Sequence, residues 1–141
     1  MTTFDRSIST PLTRMAELTV PAVPSQLGVL RAVTRLGARQ LRLSNDARAD
    51  LVLAVDEAAG TLLGIARSPS SLSCTLEITT GEVFTAAVSA TAREPLGPTT
   101  CSFEWFVLQA LVDGVTVEQC PQVGNDNWSV RIVLEKALGT A

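Results

Sequence analysis

NDARADLVLAVDEAAGTLLGIAR, residues 45–67, decides the fold. Leu51, Val55, Ala58, Leu62 and Ala66 recur every three or four positions, which is one face of an α-helix. Val52, Ala59 and Ile65 widen the stripe, so the helix is expected to lie flat on a sheet. The opposite face carries Leu53, Asp56, Glu57, Gly60, Thr61 and Gly64. A solvated face normally carries more long charged side chains. Two glycines inside a helix cost about 1 kcal/mol each against alanine, so this face is expected to meet something at close range: a ligand, another helix or a lid.

Outward from that helix, the chain splits into short elements. Residues 1 to 15 read as a polar tail, and Ala16 to Val20 as a strand ended by Pro21 and Pro24. Ser25 is expected to cap a first helix running to about Gln40. Leu27, Leu30, Val33, Leu36 or Gly37, and Leu41 form its core side. Arg31, Arg35 and Arg39 make a second stripe with no acid on the same helix to pair with. Ser44 or Asn45 caps helix two. Alternation in Leu72, Cys74, Leu76 and Ile78, then in Phe84, Ala86, Val88 and Ala90, predicts an antiparallel hairpin around residues 80–82. The stretch AREPLGPTTC, residues 92–101, is a connecting loop. Ser102 caps a third helix to Val112, with Phe103, Phe106, Val107, Ala110 and Leu111 expected to face the sheet. Val115 to Cys120 and Trp128 to Leu134 are the last strands, and residues 136–141 read as a tail. Trp105 and Trp128 are expected in the core or at the sheet edge.

The resulting order is β-α-α-β-β-α-β-β. It predicts an α/β (α+β) two-layer sandwich, with helices on one face of a mostly antiparallel sheet. One domain covers residues 16–136.

Composition narrows the chemistry. With 141 residues, 46% of them hydrophobic, the chain can bury a full core. A net charge of −3 disfavours direct nucleic-acid binding. No apolar run suits a membrane span, and the first fifteen residues lack the apolar stretch of a signal peptide. Cys74, Cys101 and Cys120 contain no CxxC pair, which fits reduced thiols in a cytoplasmic protein. Histidine is absent. Histidine bases, histidine metal ligands and Ser-His-Asp triads are thereby excluded.

The text DLVLAVDEA in helix two, with SFEWFVLQALVDGVTVE at residues 102–118 and the element order, resembles the anti-sigma factor/serine kinase family. That family belongs to the histidine-kinase-like (GHKL) ATPase superfamily, and the short actinobacterial stress-response anti-sigma factors are the nearest in appearance. The resemblance spans Glu17 to about Glu135. It implies the histidine-kinase-like ATPase fold, a homodimer, and two protein partners: an alternative sigma factor and an anti-anti-sigma antagonist.

In active members helix two carries Glu-x-x-x-Asn, the glutamate as general base and the asparagine holding Mg²⁺ on ATP. Glu57 matches the base, but Thr61 stands at the asparagine position. Ser89, Ala90 and Thr91 stand where an adenine-recognising Asp-x-Gly is expected. Ser102 and Glu104 occupy the two glycine positions of the box that opens helix three. The resemblance also makes residues 92–101 a nucleotide lid, with Leu96 and Phe103 as candidates to fill the space beneath it and Gly60 and Gly64 as surfaces it could press on. It assigns Arg31 to partner contact, with Arg35 and Arg39 beside it.

Three degraded boxes imply neither ATP nor Mg²⁺ as working cofactors, and no metal site. For Glu57 two roles stay open, a surviving base or an ordinary helix carboxylate; Asp56 is expected to face solvent. The leading expectation is an anti-sigma factor that sequesters its sigma factor without turnover. The alternatives are an active ATP-dependent serine kinase, with Glu57 as base, and a scaffold lacking both activities.

Overall fold

The computed structural model describes residues 12–79, 82–97 and 102–138. The elements follow the expected order: β1 (Leu12–Pro21), α1 (Leu27–Ala38), α2 (Asn45–Leu63), β2 (Ser71–Thr79), β3 (Val83–Ala92), α3 (Phe103–Leu111), β4 (Gly114–Pro121) and β5 (Trp128–Ala137). The strands form one sheet in the order β1-β2-β3-β5-β4. All four pairings are antiparallel. The fold is therefore α+β, with a five-stranded antiparallel sheet and three helices.

Strand alternation builds the core. Leu72, Cys74 and Leu76 of β2, Phe84, Ala86, Val88 and Ala90 of β3, and Val130, Ile132 and Leu134 of β5 all point to the helix side and are buried. On α2 the expected stripe Leu51, Val55, Ala58 and Leu62 is buried with Ala59, Val52 is half-buried, and Ala54 joins them. Alanines at 54, 58 and 59 keep the helix close to the central strands. Gly37 does the same for α1: a Cβ there would come within 2.9 Å of Leu76 Cδ1 on β2. In the β4–β5 turn, Gly124 adopts φ +85°, a conformation other residues resist.

Helix boundaries follow their caps. Ser44 Oγ accepts from Ala47 N at 3.1 Å at the start of α2, with Asp46 in the first turn. Ser44→Ala is expected to lower the unfolding free energy by about 1 kcal/mol, measured by urea titration. At its other end α2 stops at Leu63, short of the expected Arg67. Arg93 donates to the carbonyls of Gly64 and Ala66 at 3.0 and 3.1 Å, satisfying groups that a continuing helix would have paired.

Several expectations need correction. Helix α1 starts at Leu27 behind a short 3-10 turn, Pro24–Gln26; Gln26 is its cap residue, without a side-chain bond, and Ser25 does not cap it. Strand β1 begins at Leu12, inside the supposed tail, because Leu12, Thr13 and Arg14 pair with Thr79, Ile78 and Glu77. A register shift between Arg14 and Ala16 separates this segment from the rest. Strand β5 runs on to Ala137, whose N–H donates to Asp113 Oδ2 at 2.7 Å.

Helix α3 is turned from its expected orientation. It buries Trp105 and Leu108, while Phe103 and Phe106 stand 76% and 59% exposed and Ala110 is exposed too. Trp105 reaches the core as expected, and Trp128 packs against it half-buried. Cys74 is buried and Cys120 exposed, both as free thiols. Cys101, the tip of the hairpin at residues 80 and 81, and residues 98–100 of the connecting loop lie outside the described residues.

Candidate functional site: two sides of helix two

Helix α2 separates two concave surfaces. On one side, toward α3, Thr61, Leu96, Gly97, Ser102, Glu104 and Trp105 border a cavity of about 150 Å³. This is where the resemblance places a nucleotide. The cavity falls well below the roughly 300–1,000 Å³ of small-molecule sites. Thr61 Oγ1 is turned onto its own helix and donates to the Glu57 carbonyl at 3.0 Å. Ser102 Oγ accepts from Trp105 N at 3.1 Å and caps α3. Glu104 sits in the first turn of α3, so its carboxylate occupies the electropositive helix end that phosphate would use. Glu57 is half-buried on α2.

Among its described residues, the loop beside this cavity is held to β4 through Leu96. Leu96 N donates to Gln119 Oε1 at 2.9 Å, and Gln119 Nε2 donates back to Leu96 O at 3.3 Å. Leu96 borders the cavity as expected, whereas Phe103 points away from it. The idea that a lid presses on the α2 glycines is not met at Gly60, where a Cβ would find nothing within 4 Å. Gly64 is the C-cap of α2.

Ser89 does not join the other positions. In β3 the even-numbered side chains face the helices, and Ser89 pairs with Ser73 and Arg131 on the opposite face of the sheet. There it borders a wide concavity of about 770 Å³ whose lining includes Ser71, Ser73, Thr91 and Ser129, with Glu118 and Arg131 paired at 3.1 Å on its rim. The thickness of the sheet lies between Ser89 and Glu57. The β3 residues on the helix side nearest Ser89 are Val88, Ala90 and Ala92, all apolar and buried.

On the other side of α2, between it and α1, runs a groove of about 480 Å³. Arg31, Arg35 and Arg39 reach it from α1, and Arg48 and Asp56 from α2. Ala38, Ala49, Val52 and Leu53 complete its lining. Four cations thus meet one carboxylate. Asp56 is not simply solvated: its Oδ1 accepts from Arg31 Nη2 at 2.9 Å and from Nε at 3.2 Å. Arg31 therefore has a partner across the helix pair, which its own helix could not supply. Arg48 is fixed by Nη2 donating to Leu41 O at 2.8 Å, and its Nε is buried without an acceptor. Arg35 and Arg39 are exposed.

The sequence singled out Arg31, Arg35 and Arg39 but missed Arg48 as a groove residue. The signal was a cation one turn into helix two, three and seven positions before Leu51 and Val55 and so in line with the apolar stripe rather than opposite it. Beyond the arginines, Val29 and Leu36 are exposed apolar side chains on the outer side of α1, with exposed Ala32 between them. Leu53, half-exposed, adds to the groove margin. Among the described residues, no group of three or more His, Cys, Asp or Glu could hold a metal ion, and no helix is long and apolar enough to cross a membrane.

Neither a scan against protein-family models nor a search of curated proteins returns a match for this chain.

Proposed function

We propose that this chain is a partner-binding domain of the anti-sigma type. It would sequester an alternative sigma factor in the cytoplasm by affinity and release it to an anti-anti-sigma antagonist. The observation that carries this reading is the α1–α2 groove, with its excess of guanidinium groups beside exposed apolar side chains. Arginine with apolar surface is the composition of protein-docking patches, and desolvated guanidinium forks bind carboxylates two bonds at a time. A homodimer and the histidine-kinase-like fold belong to the same proposal.

The kinase alternative draws less support. The cavity beside Thr61 is small, Glu104 puts negative charge at the head of α3, and Ser89 faces the wrong way to hold adenine. Phosphoryl transfer works by positioning and charge stabilisation, and these residues supply neither. Glu57 is then a helix carboxylate.

The test is affinity capture from lysate of the source organism, with and without Mg-ATP, read by mass spectrometry. A stoichiometric sigma factor in both eluates is the expected result. A sigma factor held only with ATP would favour the kinase; none in either would overturn the anti-sigma reading.

Arg31→Glu requires care as a probe. It would set a second carboxylate against Asp56, now 2.9 Å from Arg31 Nη2. Like charges at that range and a lost, partly exposed ion pair are expected to cost the fold about 1 kcal/mol, seen as a lower urea midpoint. Arg35 and Arg39 form no ion pair with another described residue, so Arg35→Glu and Arg39→Glu leave the Arg31–Asp56 pair in place.

A further inference from the structure

The geometry points to an acidic amphipathic helix as the occupant of the α1–α2 groove, with Arg35, Arg39 and Arg48 as its anchors and Asp56 holding Arg31 back. This rests on the reading of the domain as a partner-binding module, and it names the chemistry of the partner's docking element.

Charge complementarity is the first argument. Asp56 neutralises Arg31 within the molecule, which leaves three cations facing the groove with no carboxylate paired to them among the described residues. Arg48 is already locked against Leu41 O, and its buried Nε has no acceptor. An incoming carboxylate would offset this unsatisfied, preorganised charge without needing to order a side chain first.

Spacing is the second argument. Arg35 and Arg39 lie one helical turn apart, about 6 Å along the axis. Carboxylates at i and i+4 on a facing helix repeat at the same interval. Shape is the third. Ala38 and Ala49 are small and let a third helix settle close to the α1–α2 seam, while Val52 and Leu53 offer apolar contact to one side of it. Two helices presenting a groove to a third is a common recognition mode. A helix acidic along one stripe and apolar along the next satisfies both linings together.

Asp56 then acts as an internal competitor. While it holds Arg31, the partner meets three cations; when the pair opens, it meets four. Asp56→Asn is therefore expected to tighten binding.

The test uses a synthetic 15-residue helical peptide with glutamate at every fourth position and leucine on the adjoining stripe, titrated into the full chain. The readout is the Nε–Hε resonances of the arginines. The expected result is saturable shifts at Arg35, Arg39 and Arg48, with Arg14 and Arg131 unmoved. The affinity should fall at least tenfold in the Arg35→Glu/Arg39→Glu double variant and rise several-fold in Asp56→Asn. A glutamine version of the peptide should bind at least tenfold more weakly. Non-saturating shifts, shifts spread equally over Arg14 and Arg131, or an unchanged affinity in a folded double variant would each overturn the inference.

The two readings fail separately. A captured sigma factor that the double variant still binds with full affinity overturns the groove and leaves the anti-sigma reading standing. Saturable peptide binding in the groove, with no sigma factor captured, does the reverse.

Discussion

Phe84→Ala is expected to lower the unfolding free energy by about 3–5 kcal/mol. The ring lies on the central strand β3 and is fully buried on the helix side of the sheet. It is the only fully buried aromatic ring among the described residues; its same-face neighbours on the sheet include Ala86 along the strand and Ile78 across it. Side chains held in register on a sheet collapse poorly into a void, so the cavity term adds to the lost transfer energy. For a domain of this size the melting midpoint should fall by roughly 10 °C. Phe84→Leu, which keeps most of the volume, should lose far less. The check is a urea titration of both variants; an alanine loss below about 1.5 kcal/mol would mean that the core rearranges freely around this position.

The second large effect is alkaline. Burial in the core pushes the Cys74 thiol up to about 12. An unfolded chain releases the same proton near 8.5. Between those values the folded state keeps a proton that the unfolded state gives up, so stability is fully present below about 8.5 and declines as pH rises toward 12. The slope contributed by Cys74 is about 1.4 kcal/mol for each pH unit inside that window. Urea midpoints at pH 8, 9, 10 and 11 should fall accordingly, and Cys74→Ala should flatten the trend. If the variant tracks the wild type in parallel, the alkaline loss comes from other groups. Cys120, exposed at the end of β4, should react with a thiol reagent at once, while Cys74 reacts only as the chain unfolds.

The core of this fold was legible because two periodicities were clean. Leu51, Val55, Ala58 and Leu62 could lie only on one side of a helix. Leu72 with Cys74, and Val130 with Ile132, could lie only on one side of a strand. Helix α3 was different. In FEWFVLQAL almost every position is apolar, so the pattern does not choose a face, and the packing of Trp105 beside the α2 helix does. Edge position hid the start of β1: a strand exposed on its outer side needs little apolar alternation, and Thr13 and Arg14 look like tail.

At the candidate site, sequence located the α1 arginine stripe but not its counter-charge. Arg31 and Asp56 are 25 positions apart, and nothing local couples them. Arg48 was equally hidden, since its role depends on the turn that brings Leu41 O to its Nη2. Ser89 was placed by analogy of position, and analogy does not respect strand parity. One residue along a strand reverses the face.

That reversal bears on how a carboxylate could ever be placed on this strand beside Thr61. A single change at Ser89 to aspartate would decorate the face of the sheet opposite the helices, away from Thr61. The route on the helix side leads through Ala90 or Ala92, which are enclosed by the core. A carboxylate placed there would be desolvated before it had any ligand to bind, at a cost of several kcal/mol to a marginally stable fold. The intermediate would tend to unfold before it could function. Point mutation on β3 therefore offers no gradual path to a carboxylate facing Thr61, while the exposed surface between α1 and α2 can change its side chains without that cost.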